Sequence, residues 1–224
     1  EPTIDDHKDF GRRMGAAYKS MIQTRFASKP DLASAVKTVH TPAGKQLYDS
    51  FVALHRRDYP TAMAEIDGIV EGSGLDFEQV FVQNVFEEWS LCAADLPGAP
   101  PAKHDVDACS DVMACDTERA GGLCAVAHNE DNGAEDRGAL IMVNASFGPS
   151  TSWVAATYAG ELPSGAFGFS STGGFGFTLN YVGPKQPACP GAGRVFAARR
   201  ALDAESYDEA LATLAGTRMG SGHN

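Results

Sequence analysis

DACSDVMACDTERAGGLCAVAHNED, residues 107–131, is where the chain changes character. Ser110–Cys115 and Leu123–His128 read as two short strands joined by the polar, glycine-containing loop DTERAGG, the pattern of a hairpin. Cys109 stands just before the first strand, behind the small residue Ala108, and the cluster His128-Asn129-Glu130-Asp131 closes the second. The residues before this stretch have a helical period, and those after it form a run of strands and then helices. The expected class is therefore α+β.

Upstream, Phe10, Met14, Tyr18, Met21 and Ile22 make a helical stripe over residues 5–26. Thr41-Pro42 supplies an N-cap and a proline first turn for a helix to about Arg57. Pro60 opens another through Ile66, Ile69 and Val70, ended by Gly72-Ser73-Gly74. Asp76 with Gln79 forms a capping box, and Leu75 with Val80 a hydrophobic staple, for a helix to about Glu88. Residues 1–92 thus form a helical segment. Residues 93–107, AADLPGAPPAKHDVD, carry three prolines and read as an exposed, extended linker, the usual setting of a processing site.

Downstream, Ala139–Ser146, Ser152–Tyr158, Gly165–Ser170 and Phe175–Tyr181 read as strands, separated by Gly-Pro-Ser, Leu-Pro-Ser-Gly and Thr-Gly-Gly. Gly193–Leu202 then reads as a helix, and Ser206 with Glu209 caps one more, to about Ala215.

The 224 residues, 43% apolar and 21% charged, suffice for a substantial core. The net charge of −11 is spread along the chain, which argues against a nucleic-acid partner, because phosphate binding needs a basic face. No apolar run is long enough to span a membrane. Five cysteines, an odd number with no C-x-x-C pair, argue against a fully paired disulfide framework. A zinc set of Cys109, Cys115, Cys124 and His128 has no usual ligand spacing, so no metal or other cofactor is expected. The chain starts at Glu1, as after removal of a leader or trimming, and the compartment stays open between cytoplasm and secretory pathway.

A cysteine thiol, with a pKa of ~8.5, needs a base to become a good nucleophile near neutrality. An α-amino group, with a pKa of about 8, could serve. Cys109 would carry such an amine if the Ala108–Cys109 bond broke, and its own sulfur could break it by attacking the Ala108 carbonyl to give a thioester that water resolves. Before that cut the nitrogen is an amide and no base. Taken alone, a cysteine that begins a strand is more often structural.

Four blocks add a family resemblance: YPTAMAEIDGIVEGSGLDFEQVFVQNVFEE, ACSDVMAC, AHNED, and SGAFGFSSTGGFGFTLN with the later GRVFAARRAL and GSGHN. In this order they resemble the acyltransferase family that includes acyl-coenzyme A:6-aminopenicillanate acyltransferase and β-alanyl-dopamine hydrolase, which are N-terminal nucleophile (Ntn) hydrolases. The resemblance implies a four-layer αββα sandwich preceded by a helical pro-segment that stays attached as a subunit. Residues 1–92 would be the pro-segment, 93–108 the linker ending at the cut, and 109–224 the first part of the catalytic domain. It also implies that the family's C-terminal part, with a catalytic arginine, lies beyond this sequence.

Carried over, Cys109 matches the nucleophile and Ala108–Cys109 the cleavage site, where the family usually has glycine before the cysteine. Asp131 matches the catalytic acid. Asn224 is the match for an oxyanion-hole amide, with Asn180 its rival. His128 and Asn129 are further candidate contacts. The implied activity is self-processing and then hydrolysis of small-molecule amides of the β-alanyl-amine or N-acyl-amine kind through a thioester acyl-enzyme. Acyl-coenzyme A-dependent amine acyl transfer is the enzymatic alternative, and an unprocessed, inactive structural or binding homologue is the other.

Bland readings stand beside these. His128 could pair with Cys109 as a dyad, but a histidine satisfying backbone groups at a strand end is the commoner case. Glu130 and Asp131 could be an acid/base pair, yet neighbours on a strand face opposite ways, and the resemblance favours Asp131. Phe167, Phe169, Phe175 and Phe177 read as sheet-sandwich core, and Arg199-Arg200 as helix surface.

Overall fold

The computed structural model describes residues 2–100, 109–116, 122–148 and 151–223. Seven helices come first: α1 (Ile4–Ala17), α2 (Lys19–Ala27), α3 (Pro30–Val39), α4 (Pro42–Asp58), α5 (Pro60–Ser73), α6 (Phe77–Asn84) and α7 (Phe86–Cys92). Then come β1 (Ser110–Asp116), β2 (Leu123–Asn129), a 3-10 turn (Ala134–Asp136), β3 (Leu140–Phe147), β4 (Thr151–Tyr158), β5 (Phe167–Ser170), β6 (Phe175–Thr178) and β7 (Tyr181–Val182). Two helices, α8 (Arg194–Leu202) and α9 (Tyr207–Ala215), precede β8 (Gly222–His223). The α+β class is the observed one.

Among the described residues the strands form three sheets: the β1–β2 hairpin, the antiparallel ladder β3-β4-β5-β6, and the pair β7-β8. The ladder's inner face meets helices. Phe10 and Met14 of α1 pack on Ile141, Val143, Phe147 and Trp153, and Phe175 and Phe177 pack on Ala201, Ala204 and Ala210 around α8 and α9. Phe175 and Phe177 therefore cover helices. Phe169 is exposed.

Several helix signals act as expected. Thr41 Oγ1 accepts the Gly44 N–H, Gly74 ends α5 in the left-handed conformation, and Asp76 with Gln79 forms its capping box. Elsewhere the structure departs from the pattern. The stripe over residues 5–26 breaks at Tyr18, so α1 lies on α5 while α2 turns its Arg25 to the sheet. Val85, fully buried, divides the helix after Asp76 into α6 and α7. Helix α3 was not expected from the sequence pattern, although Pro30 sits at its first turn. The proline-rich stretch is not extended over its first part: Ala93 is buried, Leu96 and Ala99 pack on the helical core, and backbone turns join them. Residues 101–108 lie outside the described residues. The strand expected over 175–181 is split, because β7 leaves the ladder to pair with β8.

Two contacts govern the helical layer. Gly11 and Gly15 of α1 face Gly68 and Gly72 of α5 so closely that a Cβ on Gly68 would sit 2.1 Å from the Lys8 carbonyl oxygen. Such backbone contact leaves no room for a methyl group. The second contact is electrostatic. Glu65 of α5, buried, receives Arg199 of α8 through Nε and Nη2 and His7 of α1 through Nδ1 at 2.7 Å. Arg199 is thus a buried ion-pair partner and not a surface residue. Removing one partner of such a pair typically costs ~3–5 kcal/mol, because the other is left charged and buried.

His55 of α4 also joins helices to the second half. Its Nδ1–H donates to the Phe51 carbonyl at 2.8 Å, so its Nε2 is the acceptor for the Gly193 N–H at 2.9 Å. Burial pushes its pKa down to about 4, against the carbonyl hydrogen bond. The cysteines obey the odd count but pair more fully than expected. Cys92 is bonded to Cys189 and Cys115 to Cys124, and Cys109 is the free one.

Gly68→Ala should lower unfolding free energy by about 1–3 kcal/mol in urea titration, the usual cost of overpacking. A histidine kept neutral by burial contributes stability that is complete above its unfolded pKa of 6.5 and lost as pH falls towards 4. His55→Gln should accordingly be less stable at pH 7 than the native chain yet lose the part of its acid destabilisation that falls between pH 6.5 and 4, as thermal melts across that range would show.

Candidate active site

Cys109 precedes β1, and its thiol meets the turn after β2. The hairpin is in register Asp111↔His128, so these two side chains are cross-strand neighbours on one face. Glu130 is two residues beyond His128 and falls on the same side. A chain of hydrogen bonds results. Asp111 Oδ1 lies 2.7 Å from His128 Nδ1, His128 Nε2 lies 2.8 Å from Glu130 Oε2, and the Cys109 thiol donates to the same Oε2 at 3.4 Å. Tyr158, at the end of β4, donates its hydroxyl to Glu130 Oε1 at 3.2 Å.

These contacts set the charges. Burial alone would lower the His128 pKa, but the hydrogen bonds to Glu130 and Asp111 outweigh it and raise it. Both ring nitrogens face carboxylates, so the ring favours the imidazolium form. Asp111 is pushed up by burial, yet hydrogen bonds from His128, Thr178 and Asn180 together hold it below the ordinary range. Burial pushes the Cys109 thiol up, the Asp131 backbone N–H opposes this, and the Glu130 charge adds to the rise. The sulfur therefore rests as a neutral thiol beside a carboxylate.

Of the residues singled out in the sequence, Asp131 presents its N–H to the Cys109 sulfur, while its carboxylate accepts from Asn129 Nδ2 at 3.0 Å and both side chains are exposed. Asn180 donates Nδ2 to Asp111 Oδ2, which joins it to the hydrogen-bonded chain. His128 serves side-chain carboxylates, not backbone groups, and reaches Cys109 through Glu130. Ala108 and Asn224 lie outside the described residues. Sequence reasoning set Glu130 aside and passed over Asp111 and Tyr158. The signal for the first two was the period-two spacing of 128 and 130 opposite 111.

Cys109 Sγ, a His128 nitrogen and a Glu130 oxygen lie within 4.8 Å of one another, close enough for one cation to bridge them. The zinc set weighed from sequence does not form, since Cys115 and Cys124 are bonded to each other. Tyr158 also lines a cavity of about 320 Å³ between the helical and sheet segments. Gln83, Glu87, Asn132, Glu161 and Arg194 share its wall. Arg194 pairs with Glu87 at 3.1 Å and donates Nη1 to the Gly165 carbonyl at 2.7 Å. The volume suits a small molecule.

The free Cys109 thiol on Glu130, with Tyr158 linking Glu130 to the cavity wall, makes Cys109 a candidate nucleophile. Residues 117–224 match the family model of acyl-coenzyme A:6-aminopenicillanic acid acyl-transferase, and this stretch is similar to that family. The chain is also 24% identical over 112 residues, half its length, to beta-alanyl-dopamine/carcinine hydrolase of Drosophila melanogaster. That alignment covers 28% of the fly protein. The family match begins after Cys109 and takes in His128, Glu130, Asp131 and Asn180.

So long as the bond before Cys109 is intact, iodoacetamide should alkylate its thiol more slowly at pH 8 than it alkylates an unperturbed cysteine peptide. Glu130→Gln, which removes a like charge, should speed that reaction.

Proposed function

We propose that the chain is a self-processing Ntn amidohydrolase whose nucleophile is Cys109, released as a new N-terminus by cleavage after Ala108. The observation that carries this reading is the position of Cys109. Among the described residues it is the one cysteine outside a disulfide, and it stands at the head of the first strand with its thiol on Glu130. The substrate class is a small-molecule amide of the β-alanyl-amine or N-acyl-amine kind, supported by the activity for which the fly relative is named. Attack of the sulfur on the amide carbonyl gives a thioester and releases the amine, and water then releases the acid. Acyl transfer from acyl-coenzyme A to an amine uses the same intermediate with a different acceptor, and the name of the matched family favours keeping it as the second reading.

Residues 1–92 act here as a retained pro-segment, 93–108 as the linker and 109–224 as part of the catalytic domain. The four-layer sandwich belongs to the same proposal: Val112, Met113, Val126, Leu140 and Met142 are exposed apolar side chains that a further layer would bury. Asp131 is assigned to hold the new α-amino group or a substrate amine, and Asn224 or Asn180 to supply an oxyanion donor, a contribution of ~3 kcal/mol.

Cys92–Cys189 spans the cut, its two cysteines separated by 97 positions in sequence. The two products should therefore run as one species in non-reducing denaturing electrophoresis and as two after reduction, whereas Cys109→Ala should stay whole in both. A native chain that stays whole after reduction would contradict the reading. Release of amine from N-β-alanyl or N-acyl amines, set against coenzyme A release from acyl-coenzyme A plus amine, separates hydrolysis from transfer.

A further inference from the structure

We propose that Glu130 is the base for the self-cleavage itself, taking the Cys109 thiol proton in the uncut chain. This role rests on the self-processing reading above and supplies a group that reading lacks. In a mature Ntn enzyme the α-amino group activates the nucleophile, but the uncut Cys109 nitrogen is an amide and cannot do so. The first reaction needs a different proton acceptor from every later one.

The geometry supplies one. Glu130 Oε2 is the acceptor on the Cys109 thiol at 3.4 Å. Its neighbours fix its position: the His128 ring at 2.8 Å, anchored on its far side by Asp111 at 2.7 Å, and the Tyr158 hydroxyl on Oε1 at 3.2 Å. Asp111 is taken up by His128 and Asn180, and the Asp131 carboxylate by Asn129. The Asp131 N–H on the sulfur favours the thiolate as it forms.

The step balances without any further reagent than water. The proton moves from Sγ to Oε2, and the sulfur bonds to the Ala108 carbonyl carbon. The tetrahedral species collapses with rupture of the carbon–nitrogen bond, and the departing nitrogen takes the proton from Glu130. This leaves a thioester and a free α-amine. Water adds to the thioester and releases the Ala108 carboxylate, restoring the thiol and the ionised Glu130. Once the amine exists it can activate the sulfur, and Glu130 is no longer required as a base.

The test is a pulse-chase of the full chain, quenched and run reduced, for the native protein, Glu130→Gln and Glu130→Asp. General-base catalysis typically contributes ~10²–10⁴-fold, so Glu130→Gln should cleave at least about 100-fold more slowly and Glu130→Asp should recover part of the loss. The uncut Glu130→Gln chain should still alkylate readily at Cys109, a result that a misfolded or occluded site would not give. Cleavage of Glu130→Gln at the native rate would overturn the role of Glu130 alone. Slow cleavage with an unreactive thiol would reassign Glu130 to a structural part and overturn it too. A native chain that never cuts would instead bring down the self-processing reading, and this inference with it.

Discussion

Arg25 of α2 is the side chain on which the arrangement around Cys109 depends. It is almost fully buried, and each end of its guanidinium is used. Nε meets Asp136 at 2.5 Å, Nη2 meets Glu161 at 2.5 Å, and Nη1 donates to the Ala159 carbonyl at 3.0 Å. Lys29 adds a second cation on Asp136 at 2.8 Å. Asp136 ends the turn that carries Glu130 and Asp131 out of β2, so a helical residue fixes where that turn lies. The guanidinium also sits over the Tyr158 ring, 5.0 Å from its centroid, and the Tyr158 hydroxyl reaches Glu130. A desolvated planar cation with several partners suits Arg better than Lys, since the planar fork satisfies three acceptors at once.

The helical segment is therefore more than a covering. Arg25 with Asp136 and Glu161, Glu65 with Arg199, and His55 with Gly193 all cross from the helices to the residues after the linker. Gln83 and Asn84 do the same through Glu161, Leu162 and Gly160. Each is buried, and each leaves an unsatisfied charge or polar group if the halves part. The small-molecule cavity has walls from both sides of the linker, so a substrate bound there would need both. A cut within the linker would change chain connectivity without releasing either half, and Cys92–Cys189 adds a covalent bond to the same effect.

Much of this was legible in the chain before its structure. Caps and prolines located the helices at Thr41, Pro60 and Asp76 because those signals are local. The hairpin was likewise local, whereas Cys109 was singled out by resemblance and its being free depends on the distant Cys92–Cys189 pairing. The breaks at Tyr18 and Val85 were not, since both side chains are held by distant core neighbours and not by their own helices. Arg199 read as surface because an arginine pair on a short helix usually is, and only the fold brings Glu65 to it. The choice of Asp131 over Glu130 rested on resemblance. Strand alternation, continued one residue past the end of β2, points the other way: His128 and Glu130 share a face with Asp111, while Asp131 offers the sulfur only its backbone N–H. The two readings are compatible if the carboxylate of Asp131 works after the cut and that of Glu130 during it.

The central claim is that the bond before Cys109 breaks and that its thiol then acts as an N-terminal nucleophile. Sequencing by Edman degradation of the protein after reduction and separation of its pieces tests this most directly. The expected result is a second N-terminus reading Cys-Ser-Asp-Val, beginning at Cys109. A single N-terminus, or a second one beginning at any other residue, would contradict it.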